Sequence, residues 1–328
     1  MKRGPRRPIL AGMSSLTVPV GDRVRRFIVE NRPVRGHFVR MEEAWKALRE
    51  HQDYPAAVRE LLGQAVSASV LLAATLKFRG TLTLQLHGDG AGRLLVSQCT
   101  HDFRVRALVR IDSERLATEA PGAAEAPALT PEIFRGLVGA TGRLAVTVEA
   151  AERDARYQGI VPLTGDSFAD CLEAYFASSE QLPTRVRLAA DETHAAGLLI
   201  QRLPEAAAVP EELGAQSAWQ DAQHGIGRVE RSELLGAPLE RVLRRNFGRN
   251  DLRLFAGSPV RFECRCDPQR VAGILKALGA DEVRDVLREQ GTVTVTCEFC
   301  NRPYRFDAID VESLFAVGGV PEGPTSIQ

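Results

Sequence analysis

Four of the chain's six cysteines fall in its last quarter as two tight pairs, Cys264-Arg265-Cys266 and Cys297-Glu298-Phe299-Cys300. Residues 267 through 296, thirty in all, separate them. Two close pairs of thiolates can form a tetrahedral sulfur cage around one zinc ion, with Zn–S bonds of about 2.3 Å. Many structural zinc ribbons use two C-x-x-C pairs, so the C-x-C half is the unusual feature. Cysteines two apart still chelate, but their Cα separation is near the upper end that a disulfide tolerates. A bridge there is strained and easily reduced again. Arg265 beside the pair should favour thiolate, the form that oxidants attack. Oxidation into two local disulfides, Cys264–Cys266 and Cys297–Cys300, would remove all four ligands at once and release the metal. A static four-cysteine site that only staples the tail is the competing reading, and spacing alone leaves both open. An iron–sulfur cluster is disfavoured, because no third close cysteine or trailing proline pattern follows.

The elements that must position these sulfurs are well punctuated. Cys266-Asp267-Pro268 predicts a helix start, with Asp267 as cap and proline at the first helical position. Val271, Ile274, Leu275 and Leu278 follow at helical spacing. A second helix is expected over Asp281 to Gln290, with Gly291 as its stop. Thr292 to Thr296 reads as a strand running into the second pair, Tyr304 to Phe306 as its partner, and Val311 to Phe315 as a short helix. A unit of roughly 70 residues has a small core, so bound metal would supply much of its folding free energy.

Upstream, helices are expected over Met41 to Glu50 and Pro55 to Lys77, the second with one strongly apolar face. Thr81 to His87 alternates with the period of a strand, and Gly88-Asp89-Gly90-Ala91-Gly92 then reads as a hairpin turn into Arg93 to Cys99. The pentad lacks the Lys-Ser/Thr of a phosphate loop. Arg104 to Ile111, Gly142 to Ala150, Tyr157 to Leu163, Val186 to Ala190 and Ala196 to Leu203 continue as strands. Ala117 to Pro131 reads as a surface loop, and Asp166 or Ser167 caps a helix through Phe176. This is an α+β pattern: a twisted, mixed or antiparallel sheet with helices. From Glu205 to about Phe255 charge is dense and apolar residues are sparse; two helices are expected, with Gly225 and Gly227 between them. Such thin stripes must lean on a neighbour, which marks a segment of low stability. The division expected is 1–204 (with 1–22 a flexible basic tail rather than a secretion signal), a metastable helical linker over 205–255, and a small zinc-binding domain over 256–328.

The 328 residues suit two or three domains, and 44% hydrophobic with 26% charged residues is ordinary globular composition. Basic and acidic residues balance at 42 each, which gives no global pull toward nucleic acid or membrane. No apolar run approaches the roughly 20 residues that span a bilayer. Cys99 and Cys171 read as buried apolar thiols. The histidines, at 37, 51, 87, 101, 194 and 224, lie far in sequence from the cysteine pairs and receive no chemistry.

Taken together, the motifs resemble the heat-shock protein 33 family of redox-regulated holdase chaperones, from about Val24 to Val311. The residues that carry this are Asn31 with Val34-Arg35-Gly36, Leu72-Ala73-Ala74-Thr75-Leu76-Lys77-Phe78 with Gly80, and Leu86 with Gly88-Asp89-Gly90. Tyr157-Gln158-Gly159, Ser179-Glu180-Gln181-Leu182-Pro183-Thr184-Arg185, Phe262-Glu263 with the first cysteine pair, and the second pair complete them. The resemblance implies one Zn²⁺ per chain on Cys264, Cys266, Cys297 and Cys300, inactive when reduced. It implies activation by oxidation of those four cysteines to two disulfides, with zinc release and linker unfolding. Unfolded client proteins would be the partners, the oxidised form a homodimer, the compartment cytoplasmic, and the protein not an enzyme. Two other readings are weighed. A thiol–disulfide oxidoreductase is opposed by a C-x-x-C that ends a strand instead of starting a helix. A static zinc-ribbon module for nucleic acid or protein is opposed by the absence of a basic patch with interleaved aromatics.

Overall fold

The computed structural model describes residues 21–30, 32–125, 128–150, 155–204, 215–248 and 251–316. Residues 1–20 of the expected tail, Asn31, residues 205–214 and Arg249 of the expected linker, and residues 317–328 lie outside the described residues. The chain divides into two compact units, one of Met1–Leu48 with Asp53–Phe262, the other of Glu263–Gln328 with Arg49–Gln52.

The elements of the first are β1 (Arg23–Val29), β2 (Val34–Met41), α1 (Glu43–Arg49), α2 (Ala56–Thr75), β3 (Gly80–His87), β4 (Gly92–Thr100), β5 (Arg104–Ile111), α3 (Ser113–Glu119), α4 (Pro131–Val138), β6 (Arg143–Ala150), β7 (Ala155–Pro162) and α5 (Phe168–Tyr175). They continue through β8 (Thr184–Ala190), β9 (Ala195–Arg202), α6 (Ala215–Gly227), α7 (Arg231–Gly236), α8 (Leu239–Phe247), β10 (Leu252–Leu254), β11 (Ser258–Pro259) and β12 (Arg261–Phe262). The second unit holds α9 (Pro268–Leu278), α10 (Ala280–Gln290), β13 (Val293–Thr296), β14 (Pro303–Phe306) and α11 (Ala308–Phe315). The fold is α+β.

Helix α2 organises the first unit. Between Ala57 and Ala73 every residue except Arg59 is buried, so the helix is enclosed on all sides instead of presenting one apolar face. Small residues allow this: a Cβ on Gly63 would lie 2.4 Å from the Ala190 Cβ. At twenty residues, α2 is long and apolar enough by composition to cross a bilayer, which corrects the reading that no run approaches that length. Its burial, 89% of the window, makes it a core helix.

Two sheets pack around α2 where one was expected, since a helix buried all round needs cover on both sides. The first runs β10-β1-β2-β9-β8 with β11 beside β1; the second runs β12-β5-β4-β3-β6-β7. All pairings are antiparallel except β12 with β5. The β3–β4 hairpin carries the glycine pentad, which packs against the end of α4: Asp89 N donates to Val138 O and Ala91 N to Gly136 O. The sequence reading treated 117–131 as loop, yet α3 reaches Glu119 and Pro131 opens α4, capped by the Thr130 hydroxyl. Ala120 and Ala123 between them are buried in the main core. Small apolar residues without a period gave no sign of that.

The other face of the first sheet carries a separate apolar cluster. Phe27, Phe38, Leu198 and Ile200 meet Trp219, Ile226, Leu234, Leu239, Val242 and Phe247 of three helices, α6 to α8. Two were expected; Gly225 and Gly227 fall in the last turn of α6, and Pro238 starts α8. The end of the expected linker, Leu252–Leu254, is strand β10 on the edge of this sheet. Gly36 of the Val34-Arg35-Gly36 motif lies opposite Phe27, and a Cβ there would sit 2.1 Å from the Phe27 ring. The vacant side chain lets the ring lie across the strand and meet Phe247 of α8 at 6.0 Å between centroids.

In the second unit Val271 and Leu275 of α9 join Val283, Val293, Phe306, Val311 and Leu314 in a third core. Of the expected stripe, Ile274 and Leu278 instead face outward at 62% and 54% exposure. The core is too small to cover four large residues of one short helix. Replacing Gly36→Ala is expected to push Phe27 off its seat and cost about 1–3 kcal/mol by overpacking. Urea unfolding of the first unit checks this; an unchanged midpoint would contradict it.

Candidate metal centre

Each cysteine pair is fixed by its local chain. Before α9, the Asp267 carboxylate accepts from Arg270 N at 2.9 Å, and Pro268 starts the helix as the sequence predicts. The Arg270 side chain reaches back and donates to Arg265 O at 2.9 Å, which holds the residue between Cys264 and Cys266. The second pair closes the β13–β14 hairpin. Cys297 N donates to Arg302 O at 3.0 Å, and Asn301 N donates to Cys297 O at 2.8 Å. Asn301 takes φ 52°, the left-handed conformation that asparagine tolerates better than most residues, and this turns the chain after Cys300.

The structure brings all four sulfurs together, each within 4.8 Å of the others. Cys264 Sγ lies 3.6 Å from Cys297 Sγ, and Cys266 Sγ 3.5 Å from Cys300 Sγ. A bonded disulfide would need about 2.05 Å, so the cysteines are free thiols. Four sulfurs at about 2.3 Å from a common centre have edges of about 3.8 Å by tetrahedral geometry. The cage therefore fits a metal ion, and an all-sulfur donor set suits zinc. Among the described residues these four are the group of His, Cys, Asp and Glu side chains arranged to hold one.

The four thiols are not equivalent. Burial pushes Cys264 up to about 11 and raises Cys300 further. Burial also acts to raise Cys266, but hydrogen bonds from the Tyr304 hydroxyl and the other sulfurs outweigh it and hold that thiol below the ordinary range. Tyr304, which the sequence reading did not single out, is the first of the groups that lower Cys266. Its position was legible in principle. Tyr304 pairs with Val295 across the hairpin, two residues before Cys297, so alternation places Tyr304, Val295 and Cys297 on one face.

The remaining candidates stand apart from this centre. Cys99 and Cys171 are both 0% exposed within the main core, and burial raises both thiols, Cys171 to about 12. His37 is buried, and desolvation, with help from Arg35 and Arg26, lowers it to about 3.

The family model described as Hsp33 protein matches residues 22–307. The 33 kDa chaperonin of Nitrosococcus oceani is 38% identical over 294 residues, 90% of this chain and 94% of that protein. That of Pseudomonas aeruginosa (strain UCBPP-PA14) is 40% identical over 305 residues, 93% and 97% of the two chains. The crystal structure of the 33 kDa chaperonin (heat shock protein 33 homolog) from Thermotoga maritima matches with a TM-score of 0.69 over 89% of this chain and 97% of that one. At 24% identity that match speaks for the fold.

Removing one ligand, Cys297→Ser, is expected to lower metal content from one equivalent to near zero. Amide hydrogen exchange should then show protection lost across 263–315 and kept in α2. Full zinc content by metal analysis would refute the assignment.

Proposed function

Because the chain belongs to the Hsp33 family, we propose that it is a chaperone that holds unfolding proteins without ATP, silent while its thiols are reduced and zinc-bound. One observation carries the switch: four free sulfurs meet in one cage inside a unit whose buried core, among the described residues, is nine residues. Zinc, when bound on Cys264, Cys266, Cys297 and Cys300, ties two distant chain segments together and so supplies folding free energy that so small a core lacks. Oxidation by a peroxide removes that tie. Two thiols give up two protons and two electrons, one S–S bond forms, and the peroxide O–O bond is cleaved to two waters; the second pair repeats the step. Local bridges, Cys264–Cys266 and Cys297–Cys300, free the two segments from each other. Bridges along the contacts of 3.6 Å and 3.5 Å, Cys264–Cys297 and Cys266–Cys300, would keep them stapled as in a static site.

The segment that opens is proposed to be the linker over 205–255, between a 1–204 domain and a 256–328 switch domain. Its described helices are held to the first sheet by polar latches as well as apolar contact. Arg40 of β2 donates from Nε to Leu234 O at 2.8 Å and from Nη2 to Glu233 O at 3.2 Å and Ala237 O at 2.5 Å, closing the carboxyl end of α7. Arg231 at its other end bonds Glu60 of α2 at 2.5 Å. Opening these would uncover Phe27, Phe38, Leu198 and Ile200, an apolar surface for misfolding clients, where burial contributes about 25 cal/mol per Å². The oxidised protein acts as a dimer in the cytoplasm in this account.

Oxidised, zinc-free protein is expected to suppress light scattering from a heat-denatured client while reduced protein does not; equal suppression by both would remove the switch. Arg40→Met strands three carbonyls and should weaken helix docking by about 1–3 kcal/mol. Hydrogen exchange over 231–247 and client binding should both rise in the reduced, zinc-loaded protein. No change in either would show the latch to be idle.

A further inference from the structure

The second unit is not one stretch of chain: Arg49–Gln52, the end of α1 and the turn toward α2, belong to it together with Glu263–Gln328. A polar bond joins the two parts. Gln52 Nε2 donates to Phe299 O at 2.7 Å, between residues 247 apart in sequence. Phe299 lies between Cys297 and Cys300, so the acceptor is a carbonyl of the turn that carries two of the four sulfurs. The donor is held in its turn by the chain before it, since Gln52 N donates to Arg49 O at 2.9 Å. We infer that Gln52 is a positioning residue of the metal centre: it holds the Cys297–Cys300 turn with both sulfurs in the cage, and lets go when those sulfurs are bridged, which frees residues 49–52. The physical reason is the geometry of the turn. Sulfurs on one zinc ion stand about 3.8 Å apart, and bonded sulfurs about 2.05 Å. Hydrogen peroxide closes the bridge by taking two electrons and two protons from the two thiols and leaving as two waters. The peptide groups between the cysteines must rotate to let the sulfurs meet, and a hydrogen bond weakens steeply as its direction changes. Closing this bridge therefore costs the Gln52 bond. Cys264 and Cys266 feel no such restraint, because the Arg270 bond to Arg265 O fixes that pair instead. The inference rests on the reading of the cage as a zinc switch.

Gln52→Met keeps the length of the side chain and removes the donor. Reduced, zinc-loaded, full-length protein is treated with hydrogen peroxide, and isotope-coded alkylation read by mass spectrometry follows each cysteine. In the variant, the initial loss of Cys297 and Cys300 relative to Cys264 and Cys266 should rise about 3–10-fold, the factor that one net hydrogen bond represents. A general loosening of the unit would speed all four alike, so this ratio separates positioning from packing. Hydrogen exchange over 49–54 should rise in the unaltered protein as zinc leaves. In reduced Gln52→Met it should be raised already, with α2 still protected. An unshifted cysteine ratio in the variant would overturn the role of Gln52 and leave the zinc switch standing. So would exchange over 49–54 that stays flat in the unaltered protein after its zinc has gone. Unaltered protein that binds no zinc, or keeps it through complete thiol oxidation, would overturn the zinc-switch reading, and this inference with it.

Discussion

Convergence of Cys264, Cys266, Cys297 and Cys300 joins two segments of the terminal unit that lie thirty residues apart in sequence. Among the described residues its core is nine buried side chains drawn from three helices and a two-stranded hairpin. Two large apolar residues of α9, Ile274 and Leu278, find no place in that core and stay exposed. In a domain with so small a core, a link between residues 264–266 and residues 297–300 adds order that apolar burial supplies sparingly. Thiolates are well suited to that task, since they bind a soft divalent ion tightly and are also the side chains most readily changed by oxidants.

The larger unit is built by the opposite rule. Helix α2 is enclosed by apolar and small side chains on all sides, and the strands of both sheets rest on it. Burial raises the thiols of Cys99 and Cys171 and lowers His37 in that unit. Against this inert frame, the far face of the first sheet is closed by three short helices that mix apolar contact with arginine bonds to backbone carbonyls and to Glu60. Short helices gain their stability from packing more than from their own hydrogen bonds. One face of the first sheet is thus covered by a single long helix and the other by three shorter ones.

Much of this was legible in residue order. The two cysteine spacings picked out the four sulfurs that the structure brings together, Asp267-Pro268 and Gly291 marked helix ends, and period-two alternation located most of the strands. These signals are local, and local chemistry decides them: a cap needs its acceptor three residues away, and a strand shows its own two faces. Where the reading erred, the deciding contacts were remote. The stretch 117–131 looked like loop although Ala120 and Ala123 are buried by distant partners, and α2 looked one-faced because its second cover comes from residues far along the chain. Sequence by itself therefore determined which atoms could bind a metal and how each segment prefers to run. Tertiary structure alone decided that the four sulfurs would meet, that Gly36 would make room for Phe27, and that Arg40 would close α7. Each of those depends on two segments meeting at one distance and angle, and no residue carries that information until the chain has folded.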